Sequence, residues 1–212
     1  MSVRIKICGI TNLDDAWAAI DAGADALGFI MHKASPRYVT LSAMGKIIGR
    51  MPPFLAKVGV FVNAPPKLAA SAVEDYGLDT LQFHGDETPA YCRQFAPVAV
   101  LKAFRVQGPE TLKTLGRYRT SAWLLDSYVP GKQGGAGATF NWDLAREAKQ
   151  LGRPIVLAGG LTVGNVAEAI RHTRPFGVDV SSGVESSPGR KDRRLLVEFI
   201  RQARSADARS EV

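Results

Sequence analysis

Sulfur is scarce in this chain: Cys8 and Cys92 are its only cysteines, and no Cys-x-x-Cys spacing occurs. That excludes a disulfide framework and a metal site of the usual cysteine spacing, and it points to a reducing compartment. No basic-then-apolar segment opens the sequence, and no apolar run approaches the roughly 20 residues that cross a bilayer. The expected setting is therefore the cytoplasm, with no membrane partner. Acidic residues are outnumbered, 20 against 27 basic ones, for a formal charge of +7. An anionic partner suits that sign. Much of the excess is a tail, however, since Arg190, Lys191, Arg193, Arg194, Arg201, Arg204 and Arg209 all follow residue 189. No aromatic-interleaved basic patch or RNA-binding signature accompanies it, so a solvated helix face is expected there, not a nucleic-acid site. A Gly-x-Gly-x-x-Gly after the first strand is also missing, which removes the fingerprint of dinucleotide folds.

What is present is a period. Short apolar runs, polar or Gly-rich turns and helical patterns recur every 20–30 residues or so. Strands are expected at 3–8, 26–30, 57–62, 80–84, 98–104, 122–126, 154–158 and 177–180, and helices at 13–22, 41–49, 66–76, 89–95, 110–116, 142–151, 163–172 and 192–204. Thr88 before Pro89 and Thr162 before Val163 supply helix-start chemistry. Eight short apolar strands alternating with eight helices predict an α/β fold, a closed (β/α)8 TIM barrel covered on its outer face. With 212 residues and no linker or low-complexity stretch, residues 1–212 are expected to form a single domain, with a frayed tail at 205–212.

In such a barrel the reacting groups stand where strands end and loops begin. The first strand, Arg4-Ile5-Lys6-Ile7-Cys8, ends on a cysteine followed by Gly9. Cys8 alone reads either as a small buried hydrophobe or as a sulfur poised at the mouth. The second strand runs into Ser35-Pro36-Arg37-Tyr38, whose planar guanidinium suits a carboxylate. The fourth ends in Gln82-Phe83-His84-Gly85-Asp86 and the sixth in Leu125-Asp126-Ser127. His84 either lines the site and orients a substrate or satisfies a hydrogen bond at the barrel top. Glycines cluster after strands six, seven and eight, at Gly131, Gly134, Gly135, Gly137, Gly159, Gly160 and Gly183. Each can simply turn the chain. Three such loops on adjacent strands favour a phosphate cradle, because Gly lets backbone N–H groups approach an oxyanion. His32 and His172 look incidental, Cys92 reads as packing, and Asp179 as a support for the loop after strand eight.

Together these segments resemble the phosphoribosylanthranilate isomerase family. The likeness is carried by Lys6-Ile7-Cys8-Gly9-Ile10-Thr11, Ser35-Pro36-Arg37-Tyr38, Val60-Phe61-Val62-Asn63, Gln82-Phe83-His84-Gly85-Asp86-Glu87, Leu125-Asp126-Ser127, Ala158-Gly159-Gly160-Leu161 and Asp179-Val180-Ser181-Ser182-Gly183-Val184-Glu185. It runs from Arg4 to the last helix. It departs from the family pattern at Met31-His32-Lys33-Ala34 and at Gly135-Ala136-Gly137-Ala138, where a hydroxyl and a cation are absent but backbone donors survive.

The resemblance implies an Amadori rearrangement in tryptophan biosynthesis. N-(5-phosphoribosyl)anthranilate becomes 1-(2-carboxyphenylamino)-1-deoxyribulose 5-phosphate without metal or organic cofactor. It further implies Cys8 as general base, Asp126 as general acid and Arg37 as holder of the anthranilate carboxylate. His84 joins the substrate-binding set, and Gly135, Gly137, Gly159, Gly160, Ser182 and Gly183 bind the phosphate. Its members occur as monomers and dimers, so a monomer or homodimer is expected. Cys8 needs thiolate character, and Lys6, two residues back on the same strand face, is expected to favour it. Competing expectations are a related phosphosugar isomerase, which usually carries Asp where Cys8 stands, and a barrel that binds phosphate without catalysis. The epimerase and indole-glycerol-phosphate synthase alternatives lack their metal ligands or their Lys and Glu groups here.

Overall fold

The structure, a computed structural model, describes residues 2–126 and 142–208. Strands β1 (Arg4–Cys8), β2 (Ala26–Ile30), β3 (Ala56–Phe61), β4 (Thr80–Phe83), β5 (Ala99–Arg105), β6 (Ala122–Asp126), β7 (Ile155–Ala158) and β8 (Gly177–Val180) pair in sequence order, and β8 closes on β1. All these pairings are parallel. Helices α1 (Leu13–Asp21), α2 (Leu41–Ile48), α3 (Pro66–Glu74), α4 (Pro89–Arg93), α5 (Pro109–Leu115), α6 (Trp142–Lys149), α7 (Val166–Thr173) and α8 (Arg193–Ala208) follow the strands in turn. The (β/α)8 barrel expected from the period is thus the fold observed.

Successive strand residues point to opposite faces, and the two faces carry different chemistry. Outward go the large apolar residues Ile5, Ile7, Leu27, Phe29, Leu81, Phe83, Trp123, Leu125, Ile155 and Leu157, all buried in one core beneath the helices. Inward go smaller ones: Ala103, Leu124, Val156 and Ala158 form a separate cluster. Lys6, Gln82 and Asp179 are also buried. Gly28 lies opposite Cys8 in the β1–β2 register. A Cβ there would stand 2.8 Å from the Cys8 Sγ and 3.0 Å from the Lys6 Nζ, so the missing side chain makes their room.

Three local expectations meet the structure differently. Thr88 caps α4, its hydroxyl accepting the Tyr91 N–H at 3.1 Å. Thr162 does not cap α7. The Asn165 side chain accepts the Thr162 N–H at 2.8 Å and its amide donates to the Gly160 carbonyl at 3.0 Å, so the chain turns first and the helix starts at Val166. Nor does the tail fray from Ser205. α8 runs to Ala208 because Ala206 is buried, Asp207 accepts the Val3 N–H at 2.7 Å and Arg204 donates to the Val3 carbonyl at 2.6 Å. Between β8 and α8 the chain makes a short 3-10 turn, Ser182–Val184, and a hairpin of β9 (Glu185–Ser187) and β10 (Arg190–Lys191).

Candidate active site

The carboxyl ends of the strands surround a cavity of about 220 Å³ whose lining includes Cys8, Arg37, Gln82, His84, Asp126, Gly159, Gly160, Asp179, Ser181, Ser182 and Gly183. Most of the sequence-predicted site residues are therefore brought together. Gly135 and Gly137, with the whole loop 127–141, lie outside the described residues.

Cys8 ends β1 and is 6% exposed. Burial pushes its thiol above the ordinary value, while the Lys6 ammonium pulls the other way. The expected help from Lys6 is present in direction, and desolvation exceeds it. Lys6 shares the inner face with Cys8, as the strand period predicts. Its ammonium meets Asp179 at 2.8 Å, both side chains being buried. Burial lowers the Lys6 pKa, but Asp179 and Cys8 outweigh it and the net displacement is upward. Asp179 is thus the partner that keeps a cation under the thiol.

Asp126 ends β6, and its Oδ2 lies 3.1 Å from the Nε2 of His84. The His84 Nδ1 is 3.0 Å from the Gln82 Nε2. His84 therefore neither stands alone nor merely closes a rim: it links the acid to a buried amide. The loop carrying it is braced from below. Lys102 donates to the carbonyls of Phe83 and Gly85 and to Glu87 at 3.2, 2.6 and 3.1 Å, and Glu87 accepts the Gly85 and Asn63 N–H groups at 2.9 and 2.8 Å.

Arg37 follows β2 in a turn where the Ser35 hydroxyl accepts its N–H at 3.1 Å. Its aliphatic stem crosses Gly9, which has φ +78° and whose Cβ would meet the Arg37 Cδ at 2.6 Å. Both requirements select glycine there. The guanidinium is held by Glu185 in a two-pronged pair, Nε to both carboxylate oxygens at 2.8 and 3.0 Å and Nη2 to Oε2 at 2.6 Å.

Gly159 and Gly160 have φ of +81° and +64°, and a Cβ on Gly183 would stand 2.0 Å from the Leu161 carbonyl oxygen. The loops after β7 and β8 touch there, which only glycine permits. Among the described residues the N–H groups of Gly160, Ser182 and Gly183 find no acceptor, leaving donors for an oxyanion.

Three features escape sequence reasoning. Gln82 Oε1 and Ser181 Oγ are buried without a hydrogen-bond partner among the described residues, and both residues line the cavity. Such atoms are costly unless a ligand satisfies them; the i, i+2 spacing of Gln82 and His84 was the available signal. Lys191, counted with the basic tail, is not solvated: its side chain is wholly buried against Glu185 at 2.9 Å. By contrast Cys92 is packed in α4, where burial pushes its thiol up to about 11, and His172 pairs with Asp143 at 2.9 Å, away from the cavity. Among the described residues no group of His, Cys, Asp and Glu is arranged to hold a metal ion, and no helix is long and apolar enough to cross a membrane.

A family model described as N-(5'phosphoribosyl)anthranilate (PRA) isomerase matches residues 5–202. A protein of Trichlorobacter lovleyi named N-(5'-phosphoribosyl)anthranilate isomerase is 52% identical over 204 residues, covering 96% of this chain and 99% of the relative. Among solved structures, phosphoribosyl anthranilate isomerase from Thermotoga maritima superposes with a TM-score of 0.91 at 41% identity, covering 96% and 99% of the two chains. A further isomerase structure, in complex with reduced 1-(o-carboxyphenylamino)-1-deoxyribulose 5-phosphate, has a TM-score of 0.87 at 40% identity over 96% and 99%.

Proposed function

The chain belongs to the N-(5'-phosphoribosyl)anthranilate isomerase family, and from that premise we propose how its residues carry the reaction. The enzyme converts N-(5'-phosphoribosyl)anthranilate into 1-(2-carboxyphenylamino)-1-deoxyribulose 5-phosphate, an aldose-to-ketose isomerisation in tryptophan biosynthesis. The observation that carries the residue assignment is that Cys8 and Asp126 line one cavity, between a guanidinium and two loops of unpaired N–H donors.

Asp126 is the general acid. Its carboxyl proton goes to the ribose ring oxygen, the C1–O bond breaks, and the anthranilate nitrogen lone pair forms the protonated Schiff base. Hydrogen bonding to His84 at 3.1 Å orients the carboxyl for that transfer. Cys8 is the general base and removes the C2 proton, whose electrons move into the C1–C2 bond and neutralise the nitrogen. The enolamine then tautomerises to the ketone. Cys8 acts in its thiolate form, which Lys6 and the cationic Schiff base both favour, and the proton it takes from C2 is delivered to C1 as the enol becomes the ketone. No cofactor is required for any of these transfers. The phosphate sits on the N–H groups of Gly160, Ser182 and Gly183, joined by Gly159 and by Gly135 and Gly137 of the loop after β6. Arg37 receives the anthranilate carboxylate.

We also assign the chain to the cytoplasm as a single barrel domain acting as monomer or homodimer; the closure of all eight strands into one barrel supports the single domain. The test follows anthranilate fluorescence during turnover. Cys8→Ala and Asp126→Asn each lower kcat by about 10²–10⁴-fold with circular dichroism unchanged. Undiminished turnover by either folded variant removes its residue from the mechanism.

A further inference from the structure

Arg37 reaches the cavity with one of its two hydrogen-bonding edges already spent. Nε and Nη2 face Glu185, which leaves the end-on edge: Nη1, without a partner among the described residues, and the second N–H of Nη2. Glu185 accepts a further bond from Lys191 Nζ at 2.9 Å. That ammonium, on the hairpin after β8, also donates to the carbonyls of Cys8 at 2.6 Å and Ser181 at 3.1 Å. Burial lowers the Lys191 pKa and Glu185 opposes that shift; three acceptors use the three protons of an ammonium, so the geometry fits the charged form. Burial raises the Glu185 pKa, but Arg37 and Lys191 prevail and hold it below the usual carboxylate range.

The charges in this cluster do not cancel. Arg37 and Glu185 alone are neutral; Lys191 brings the group to one net positive charge, in a place where its own side chain touches no water. Neither neighbouring acid makes an ion pair with the Lys191 ammonium among the described residues. Asp179 pairs with Lys6. Asp15 accepts the backbone N–H of Lys191 and the Asn12 amide within the first turn of α1. An uncompensated buried charge is unfavourable until a counter-charge arrives, and among the described residues Arg37 is the member of the cluster that lines the cavity.

We propose that Glu185 and Lys191 complete the receptor for the substrate carboxylate: Glu185 fixes Arg37 side-on so that its end-on edge faces the ligand, and Lys191 restores the positive charge that Glu185 cancels. This rests on the reading of Arg37 as the carboxylate holder. It makes Lys191 a specificity residue that touches no substrate.

The test uses two ligands, the reduced 1-(o-carboxyphenylamino)-1-deoxyribulose 5-phosphate and the same compound without its carboxyl group, with dissociation constants measured by calorimetry. The parent protein prefers the carboxylate ligand by about 10- to 100-fold, the range of a hydrogen-bonded charge pair. Lys191→Met loses most of that preference while still binding the decarboxylated ligand, and Lys191→Met/Glu185→Gln, again with one net positive charge, regains it. Equal loss of both ligands in Lys191→Met, or no recovery in the double variant, overturns the proposal. Should Lys191→Met fail to fold, Lys191→Gln replaces it, keeping a donor for the Cys8 and Ser181 carbonyls without the charge: lost preference supports the proposal and retained preference overturns it. Arg37→Met separates the two layers. Preference intact in Arg37→Met refutes the reading of Arg37 itself, whereas preference lost there but intact in Lys191→Met refutes only the roles of Glu185 and Lys191.

Discussion

The two mouths of the barrel are made by the same eight strands and share almost no chemistry. At the carboxyl ends stand a thiol, an imidazole, carboxylates, a guanidinium and open N–H groups. At the amino ends Ala56, Val58, Leu101, Ala122 and Val156 line a cavity of about 340 Å³ edged by Phe54 and Phe176. One step of two residues along a strand separates the two cavities: Val58 from Val60, and Lys6 from Cys8. The Lys6–Asp179 pair is the partition, Asp179 facing the polar cavity and Lys6 reaching the apolar one. The site thus draws on the last inward residues of the strands and on the loops that follow them, and the rest of the barrel interior is free to serve stability.

Breaking the partition has the largest effect. Asp179→Ala leaves the Lys6 ammonium unpaired in the barrel and lowers unfolding free energy by about 3–5 kcal/mol, measured by denaturant titration; Lys6→Met/Asp179→Asn recovers most of that loss. Next comes the contact between the loops after β7 and β8. Gly183→Ala drives a Cβ into the Leu161 carbonyl and pushes the loops apart. It reduces kcat/KM by up to about 10²-fold, the scale of a 1 Å misplacement, chiefly through KM. A third measurement sharpens the role of Lys6. Alkylation of Cys8 by iodoacetamide accelerates with pH along a curve whose midpoint lies above the ordinary thiol value. Lys6→Met/Asp179→Asn shifts that midpoint according to the loss of both neighbouring charges, upward because Lys6 is the larger influence. The stability held by the neutral thiol is complete below about pH 8.5 and is lost as pH rises through the raised folded value. Smallest is the response of the apolar mouth. Phe54→Asp, at a position fully in solvent, changes kcat/KM by no more than about twofold, as expected of a surface substitution away from the site. A larger loss there would join the two mouths functionally.

Much of the polar mouth was legible because its residues sit at strand exits, where the period of the chain already places them: Cys8, His84 and Asp126 are each read off the end of an apolar run. What was not legible depends on burial, which neighbours in sequence do not report. Lys191 follows Arg190 and precedes Arg193 and Arg194, so it reads as one charge in a solvated run; only the hairpin fold turns it inward against Glu185. Cys8 reads as a thiolate beside Lys6 until its desolvation is seen to exceed that charge. The end of α8 reads as a frayed tail because Asp207 and Arg204 find their partners at Val3, at the other end of the chain.

That last closure makes the barrel a ring in covalent as well as geometric prospect. Val3 and the end of α8 are already joined by two hydrogen bonds, so a short peptide linker between them spans little distance and a circularly permuted chain becomes accessible. New ends opened between Gly152 and Arg153, in the exposed connection from α6 to β7 on the apolar side, leave the described loops of the polar mouth uncut and satisfy the exposure such breaks require. In that permutant Lys191 and Cys8, 183 residues apart in the natural chain, come to lie roughly 30 residues and the linker apart without moving relative to each other, and the segment carrying Gly159 to Lys191 is synthesised before the one carrying Cys8 while the geometry of the site is kept.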